Sequence, residues 1–420
     1  MSVKHWFEDI WFVMCHEMHR IFHDPGVMLI FFGAGLLYPI VYNLIYWSDD
    51  VEEVPIAVVE ARPCATSRKF IHDLDATSLV KVSATTLTLQ EAKQLVVEGK
   101  VHGIVYFPDE FNRNLTKMDG SAHIEVYNDM STFLYMKNVT AAVNLVMLET
   151  MHDVQMSRYA MQGLVGEPAE QIVQAVPYEV VGLFSTGGYS SFLIPAILIM
   201  AIHQTLFFGI GMLGGTAREE NSELYYLPGR ENERAFSRII LGRALAYFTI
   251  YLGISMYCLV LLPIVFHMPH VGNLLSLFGM IVPFLLATIF FCMTISVFVR
   301  KRETGMVTML PVTLVFVFIA GFSWPHAAMP IFWRYVSYMI PSTFGINAFI
   351  HIGSMGATIG ETMFEIRGLW FQTAVYLLTA TIALQIDAYI DKRRRLALKE
   401  QAVAETKAAG VNKAETTELD

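Results

Sequence analysis

Charge is scarce in this chain of 420 residues: Asp, Glu, Lys and Arg together make up 16% of it, and hydrophobic residues make up 54%. Soluble domains usually carry about 25% charged residues, so a single water-soluble globule is excluded. Cysteine is scarcer still, with four in all. Cys15, Cys258 and Cys292 lie in or beside apolar runs, which leaves Cys64 alone in the main polar segment and rules out a disulfide within it. No GxxxxGK(S/T) run occurs, so the chain has no P-loop to cradle nucleotide phosphates, and any ATP that drives it must bind another polypeptide. A signal-peptide layout is missing too, because Glu8, Asp9, Glu17 and Asp24 precede the first apolar run; that run is expected to act as an uncleaved anchor.

What the chain does have is six long apolar stretches, roughly Val27 to Trp47, Phe192 to Leu213, Ile239 to Val265, Leu274 to Val299, Met306 to Phe322 and Leu369 to Ile390. Each is near the ~20 residues a helix needs to cross ~30 Å of hydrocarbon. The spacing is uneven, one stretch, then a long polar segment, then five in quick succession. The expected fold class is an α-helical polytopic membrane protein with six transmembrane helices and a small α/β extracytoplasmic domain. Its divisions are an interface helix over 1–26, the first transmembrane helix over 27–47, the outer domain over 48–185, transmembrane helices two to six over 186–390, and a tail over 391–420.

Lys and Arg set the expected orientation, since cytoplasmic loops retain positive charge. Arg218, Arg230, Arg234, Arg238 and Arg243 surround the loop after the second stretch, Arg300, Lys301 and Arg302 follow the fourth, and Lys392 to Arg395 follow the sixth. The turn His267 to Asn273 has neither Lys nor Arg. Both termini are therefore expected in the cytoplasm and the polar segment outside. The net charge of −9 is segregated by side and gives no reason to expect a nucleic-acid partner.

Before the first stretch, Phe7, Ile10, Met14, Met18 and Ile21 recur at helical spacing opposite Glu8, His16, His19, Arg20 and His23, a pattern for an amphipathic helix in the inner interface. The three histidines lack a carboxylate or Cys to complete a recognisable metal-ligand set, so interfacial side chains are the favoured reading and no metal site is expected. In the polar segment, Pro55 to Glu60, Val80 to Val82, Val101 to Phe107 and Ala122 to Tyr127 read as strands. Ala65 to Leu74, Thr88 to Glu98 and Thr132 to Gln162 read as helices.

Chemistry is hard to find. Gly209, Gly211 and Gly214 spell GxGxxG, but no strand precedes them, so close helix packing through Gly211 and Gly215 is expected instead of a dinucleotide site. Asn43, His203, Gln204 and Thr205 are polar groups at membrane depth, as are Gln385 and Asp387 towards the inner end of the sixth stretch. The first four are candidates for a translocation path, against the plainer reading of satisfied packing contacts. No nucleophile triad or paired carboxylates can be assembled, so the chain is not expected to be an enzyme.

Four segments resemble one known family. Pro55 to Glu60, Glu91 to Phe111 (EAKQLVVEGKVHGIVYFPDEF), Thr216 to Leu227 (TAREENSELYYL) and Ala328 to Gly356, with Met329, Pro330 and Pro341 in an outer hairpin, are together similar to permease subunits of type-2 ABC transporters that carry a large external domain after the first span. One departure stands out: Asn221-Ser222 replaces the Gly-Thr or Gly-Ser pair of many relatives. The resemblance implies an ATP-driven exporter in a bacterial inner membrane that moves a hydrophobic drug, lipid or envelope component. It also implies a separate ATPase subunit holding ATP and Mg, a second permease copy or paired homologue, surrounding membrane lipid and a periplasmic adaptor, with no cofactor on this chain. Arg218, Glu219, Glu220, Glu223, Leu224 and Tyr225 would form the ATPase-coupling loop, charges for a polar interface beside apolar anchors. The competing reading is a non-transporting receptor or envelope scaffold with an external ligand-binding domain.

Overall fold

The computed structural model describes residues 3–47, 51–116, 122–173, 189–220, 236–268 and 271–417. The chain divides into two units, Met1–Trp47 with Gly182–Asp420, and Ser48–Val181.

The first unit begins with α1 (Val3–His23). Asp24 ends it and starts the next helix: its backbone is extended, and its carboxylate accepts hydrogen bonds from the amides of Gly26 and Val27. Pro25 then occupies the first turn, where its missing N–H costs nothing. The helix continues as α2 (Pro25–Met28), a π-helical turn over Leu29–Ala34 and α3 (Gly35–Ile45).

The second unit holds β1 (Val54–Glu60), α4 (Ala65–Asp75), β2 (Val80–Thr86), α5 (Leu89–Val97), β3 (Gly103–Phe107), α6 (Phe111–Thr116), β4 (Glu125–Asn128), α7 (Phe133–Met161) and α8 (Glu167–Val173). Its sheet runs in the order β2-β1-β3-β4, with β1 parallel to both neighbours and β4 antiparallel to β3. The period-2 alternation of β1 explains the layering. Ile56 and Val58 pack with Phe70 of α4 and Val139 and Val143 of α7, while Ala57 and Val59 pack with Ala92 of α5. The strands and helices expected from the sequence are therefore present as a small mixed α/β sheet domain. Where the sequence marks only Val80 to Val82, β2 extends to Thr86 because it pairs with β1 along its whole length.

The remaining elements return to the first unit: α9 (Tyr189–Glu219), α10 (Phe236–Met256), a π-helical turn over Tyr257–Leu261, α11 (Leu262–Val265), α12 (Leu274–Ser296), α13 (Arg302–Ile319), α14 (Ile331–Ser337), α15 (Pro341–Phe349), a π-helical turn over Ile350–Ser354 and α16 (Met363–Thr417). Among the described residues, 5 helices are long and apolar enough to cross a membrane: Pro25–Ile45, Leu193–Glu219, Phe236–Val265, Leu274–Ser296 and Met363–Ile390. The protein is a multi-pass membrane protein by this measure. The remaining expected stretch, Met306 to Phe322, is shorter than the sequence suggests. The apolar helix there is Gly305–Ile319, which at ~1.5 Å per residue covers roughly 22 Å. It stops because Gly321 takes a left-handed backbone, φ 93°, and Pro325 follows.

Helix α12 is the hub, packing against α9, α10, α15 and α16. Leu277, Ile281, Phe284 and Leu285 on α12 join Ile199 and Phe207 on α9, Tyr251 on α10 and Ile346 on α15 in one apolar core. Of the outer-hairpin residues, Met329 is buried, Pro330 is exposed at the start of α14, and Pro341 opens α15, whose residues are nearly all buried against α12 and α9.

Candidate coupling site at one end of the bundle

Charged side chains from six elements meet where α1, the start of α2, the end of α9, α10, the turn between α12 and α13, and α16 converge. Each is placed by a local feature of the sequence. Helix α1 lies along α10 because Gly242 has no side chain: a Cβ there would come within 2.8 Å of the Ile10 carbonyl oxygen and 2.7 Å of Val13 Cβ. The buried stripe of α1 is Ile10, Glu17 and Ile21, while Phe7, Trp11, Phe12 and Phe22 are exposed. Phe7 thus departs from the apolar stripe expected of it, and Glu17 takes a place on the protein-facing side.

Glu17, 4% exposed at its side chain, pairs with Arg20 at 3.2 Å and Arg243 at 3.6 Å, and accepts a hydrogen bond from the Tyr247 hydroxyl. Burial alone would raise its pKa, but Arg243, Arg20 and the tyrosine outweigh it and hold the carboxyl below its ordinary value. Further along α1, Asp9 pairs with Arg238 at the start of α10.

Asp24 and Arg302 form a two-pronged pair at 2.5 and 2.6 Å. Burial pushes the Asp24 carboxyl up; the bond to Arg302 and the amides of Val27 and Gly26 prevail and depress it. The Arg302 guanidinium also donates to the Thr216 hydroxyl at 3.2 Å, and its backbone N–H donates to Glu219 at 3.3 Å. This contact needs Gly215, since a Cβ there would lie 2.9 Å from the backbone of Lys301 and Arg302. Gly211 and Gly215 therefore serve helix packing as the sequence suggests, Gly211 accommodating Met309 of α13.

Arg218, in the last turn of α9, is the central strut. Its guanidinium donates to Asp387 at 2.7 Å and to the carbonyls of Ser296 and Val299 at 2.8 and 3.1 Å, so it caps the end of α12 as well as pairing with α16. Arg300 reaches the other Asp387 oxygen at 2.6 Å. Between the two clusters lies a cavity of about 30 Å³ lined in part by Glu17, Arg20, Arg218, Arg243 and Tyr247, room for about two waters.

The structure thus separates the expected coupling residues. The Arg218 side chain is 7% exposed and turned inward, whereas Glu219 and Glu220 are exposed at the end of α9. Glu223, Leu224 and Tyr225 lie outside the described residues. Glu17, Asp24, Arg300 and Arg302 were not legible as site residues from their local pattern. For Glu17 and Asp24 the signal is a lone carboxylate within an apolar or basic stretch.

The four candidate path residues differ in how they are bonded. Asn43 is buried but donates to the Pro39 carbonyl on its own helix, and Thr205 likewise donates to the Ala201 carbonyl. Gln204 is half-buried. His203 is 1% exposed with neither ring nitrogen bonded.

The profile of a family described as "ABC-2 family transporter protein" matches residues 26–382. The chain belongs to that family. It is also similar to a protein of Escherichia coli strain K12 named "Probable multidrug ABC transporter permease YbhS", 22% identical over 338 residues that make up 79% of this chain and 84% of that one. The protein of the same name in Escherichia coli O157:H7 matches equally, at 22% over 338 residues. Membership of an ABC permease family carries with it partnership with an ATPase subunit.

Proposed function

We propose that this chain is the membrane permease subunit of an ATP-driven exporter in the bacterial inner membrane. A separate subunit binds ATP and Mg and presses on the exposed end of α9 and the loop beyond it, from Glu219 to Tyr225. The permease works with a second copy of itself or a paired homologue, with six passes through the bilayer, α13 being the short one, and both termini in the cytoplasm. The polar unit lies outside, where it can meet an adaptor. A hydrophobic drug, lipid or envelope component is the cargo.

The observation that carries this reading is the ion-pair lattice. It ties the last turn of α9 to α12 and α16 through Arg218, Asp387 and Arg300, and to the start of α2 through Arg302 and Asp24. A push on the α9 end is thereby shared among four membrane helices and α1. Packed helices joined by charge pairs move as bodies between discrete arrangements, which is what an alternating permease requires.

Copurification tests it. An ATPase subunit coexpressed with the chain is expected to stay with the detergent-solubilised permease and to be lost on joint charge reversal of Glu219, Glu220 and Glu223 to Lys. Retention of a full complement of ATPase by the reversed variant would contradict the docking assignment.

A further inference from the structure

His203 sits on α9 in a box of aromatic rings contributed by α9 itself, α12 and α13. Phe316 of α13 stacks on it at 5.6 Å and 25°, and Phe291 of α12 and Phe207 of α9 meet it edge-on at 5.6 and 6.3 Å. Tyr376 of α16 in turn meets Phe291 at 5.1 Å. The imidazole is 1% exposed, and neither Nδ1 nor Nε2 has a hydrogen-bond partner. Buried ring nitrogens are normally bonded, and leaving one bare carries a free-energy penalty. Thr205 and Asn43 avoid that penalty by bonding to their own helices, which an imidazole directed into the box does not do.

We propose that this box is a substrate subsite, and that it selects flat aromatic molecules bearing a hydroxyl or similar hydrogen-bonding group; this rests on the permease reading above. A neutral imidazole offers one N–H donor and one bare nitrogen acceptor on different edges, and a phenol-like hydroxyl, which can give or receive, can pair with either one. The rings around it supply apolar and edge-to-face contacts for a planar body. Phe316, stacked on the imidazole, fills the space beside it. It belongs to α13, the shortest spanning helix, whose Val307, Leu310, Leu314 and Phe318 are exposed on its other side. Movement of α13, or rotation of Phe316, opens space for the ligand at the edge of the imidazole, where its hydroxyl bonds one of the two nitrogens. Hydrocarbon of the same size leaves them bare, so the subsite discriminates by hydrogen bonding where a purely greasy pocket could not.

The test is equilibrium binding of 2-naphthol against 2-methylnaphthalene to the purified full chain in neutral-lipid nanodiscs, with empty nanodiscs correcting for partition into lipid. Wild type is expected to prefer the naphthol by about tenfold or more, and His203→Leu to lose that preference while still binding the hydrocarbon. Phe316→Ala, which opens the box without touching the nitrogens, is expected to bind naphthol more tightly; His203→Leu added to it removes the gain. Equal preference in wild type and His203→Leu, or no naphthol preference in any variant, overturns the proposal and leaves His203 at most a buried-water site. No ATPase is present in these measurements. A failed preference with an intact ATPase complex therefore sinks the subsite alone, while a clear preference with no ATPase partner sinks the exporter and keeps the binding site.

Discussion

Asp24 does two jobs with one carboxylate: it caps the helix that enters the membrane, and it receives both prongs of Arg302. Asp24→Ala removes both roles. Loss of the cap alone is worth about 1 kcal/mol, and Arg302, 31% exposed, is left partly desolvated without its anion. Arg302→Lys keeps the charge but not the planar fork. Thermal unfolding midpoints in detergent are expected to rank wild type highest, Arg302→Lys between, and Asp24→Ala lowest; equal midpoints for all three would remove the pair from the account. At this scale the sequence conveyed the identity of Arg218, Glu219 and Glu220 as a cluster but not the direction of each side chain. Arg218 turns inward because the carbonyls ending α12 and the buried Asp387 offer it three acceptors, a long-range fact that no local pattern encodes.

Helix α1 is held to α10 by a narrow stripe in which Glu17 replaces an apolar residue, and that choice makes its docking depend on pH. Glu17 has a pKa lowered from 4.5 when docked. A depressed carboxyl contributes stability in full above its undocked pKa and loses it as pH falls through the docked value. Docking of α1 is therefore expected to be constant at neutral pH and to weaken below about 4.5. Hydrogen exchange of the α1 amides should accelerate in that range for wild type, and Glu17→Gln should show weaker protection already at neutral pH with the acid step reduced. An acid step of undiminished size in Glu17→Gln would assign it to another group. Amphipathic periodicity identified α1 as a helix, yet Phe7 on the apolar face is exposed while Glu17 is buried. The exposed face carries aromatic residues as well, so hydrophobicity alone could not tell which side meets protein.

Across the whole molecule, one apolar stretch, a polar insertion and a closely spaced apolar group were legible because membrane-length hydrophobic runs are the strongest signal a sequence carries. The α/β elements of the insertion were legible from the compact apolar, β-branched run Pro55 to Glu60 and from Gly99, whose left-handed backbone follows the end of α5. The length of α13 was not, because hydrophobicity continues through Phe322 while the left-handed turn at Gly321 ends the helix. Nor was the charge lattice, whose partners are separated by as many as 278 positions in the chain. That lattice is the central claim, and Asp387 is where it can be cut most cleanly, since one carboxylate holds both Arg218 and Arg300. The most direct measurement is ATP turnover by the partner ATPase reconstituted with the permease in proteoliposomes, comparing wild type with Asp387→Asn. The account predicts that the ATPase remains bound while permease-stimulated turnover falls by about tenfold, the loss of roughly 1.4 kcal/mol of coupling; full stimulation by Asp387→Asn in an intact complex would contradict it.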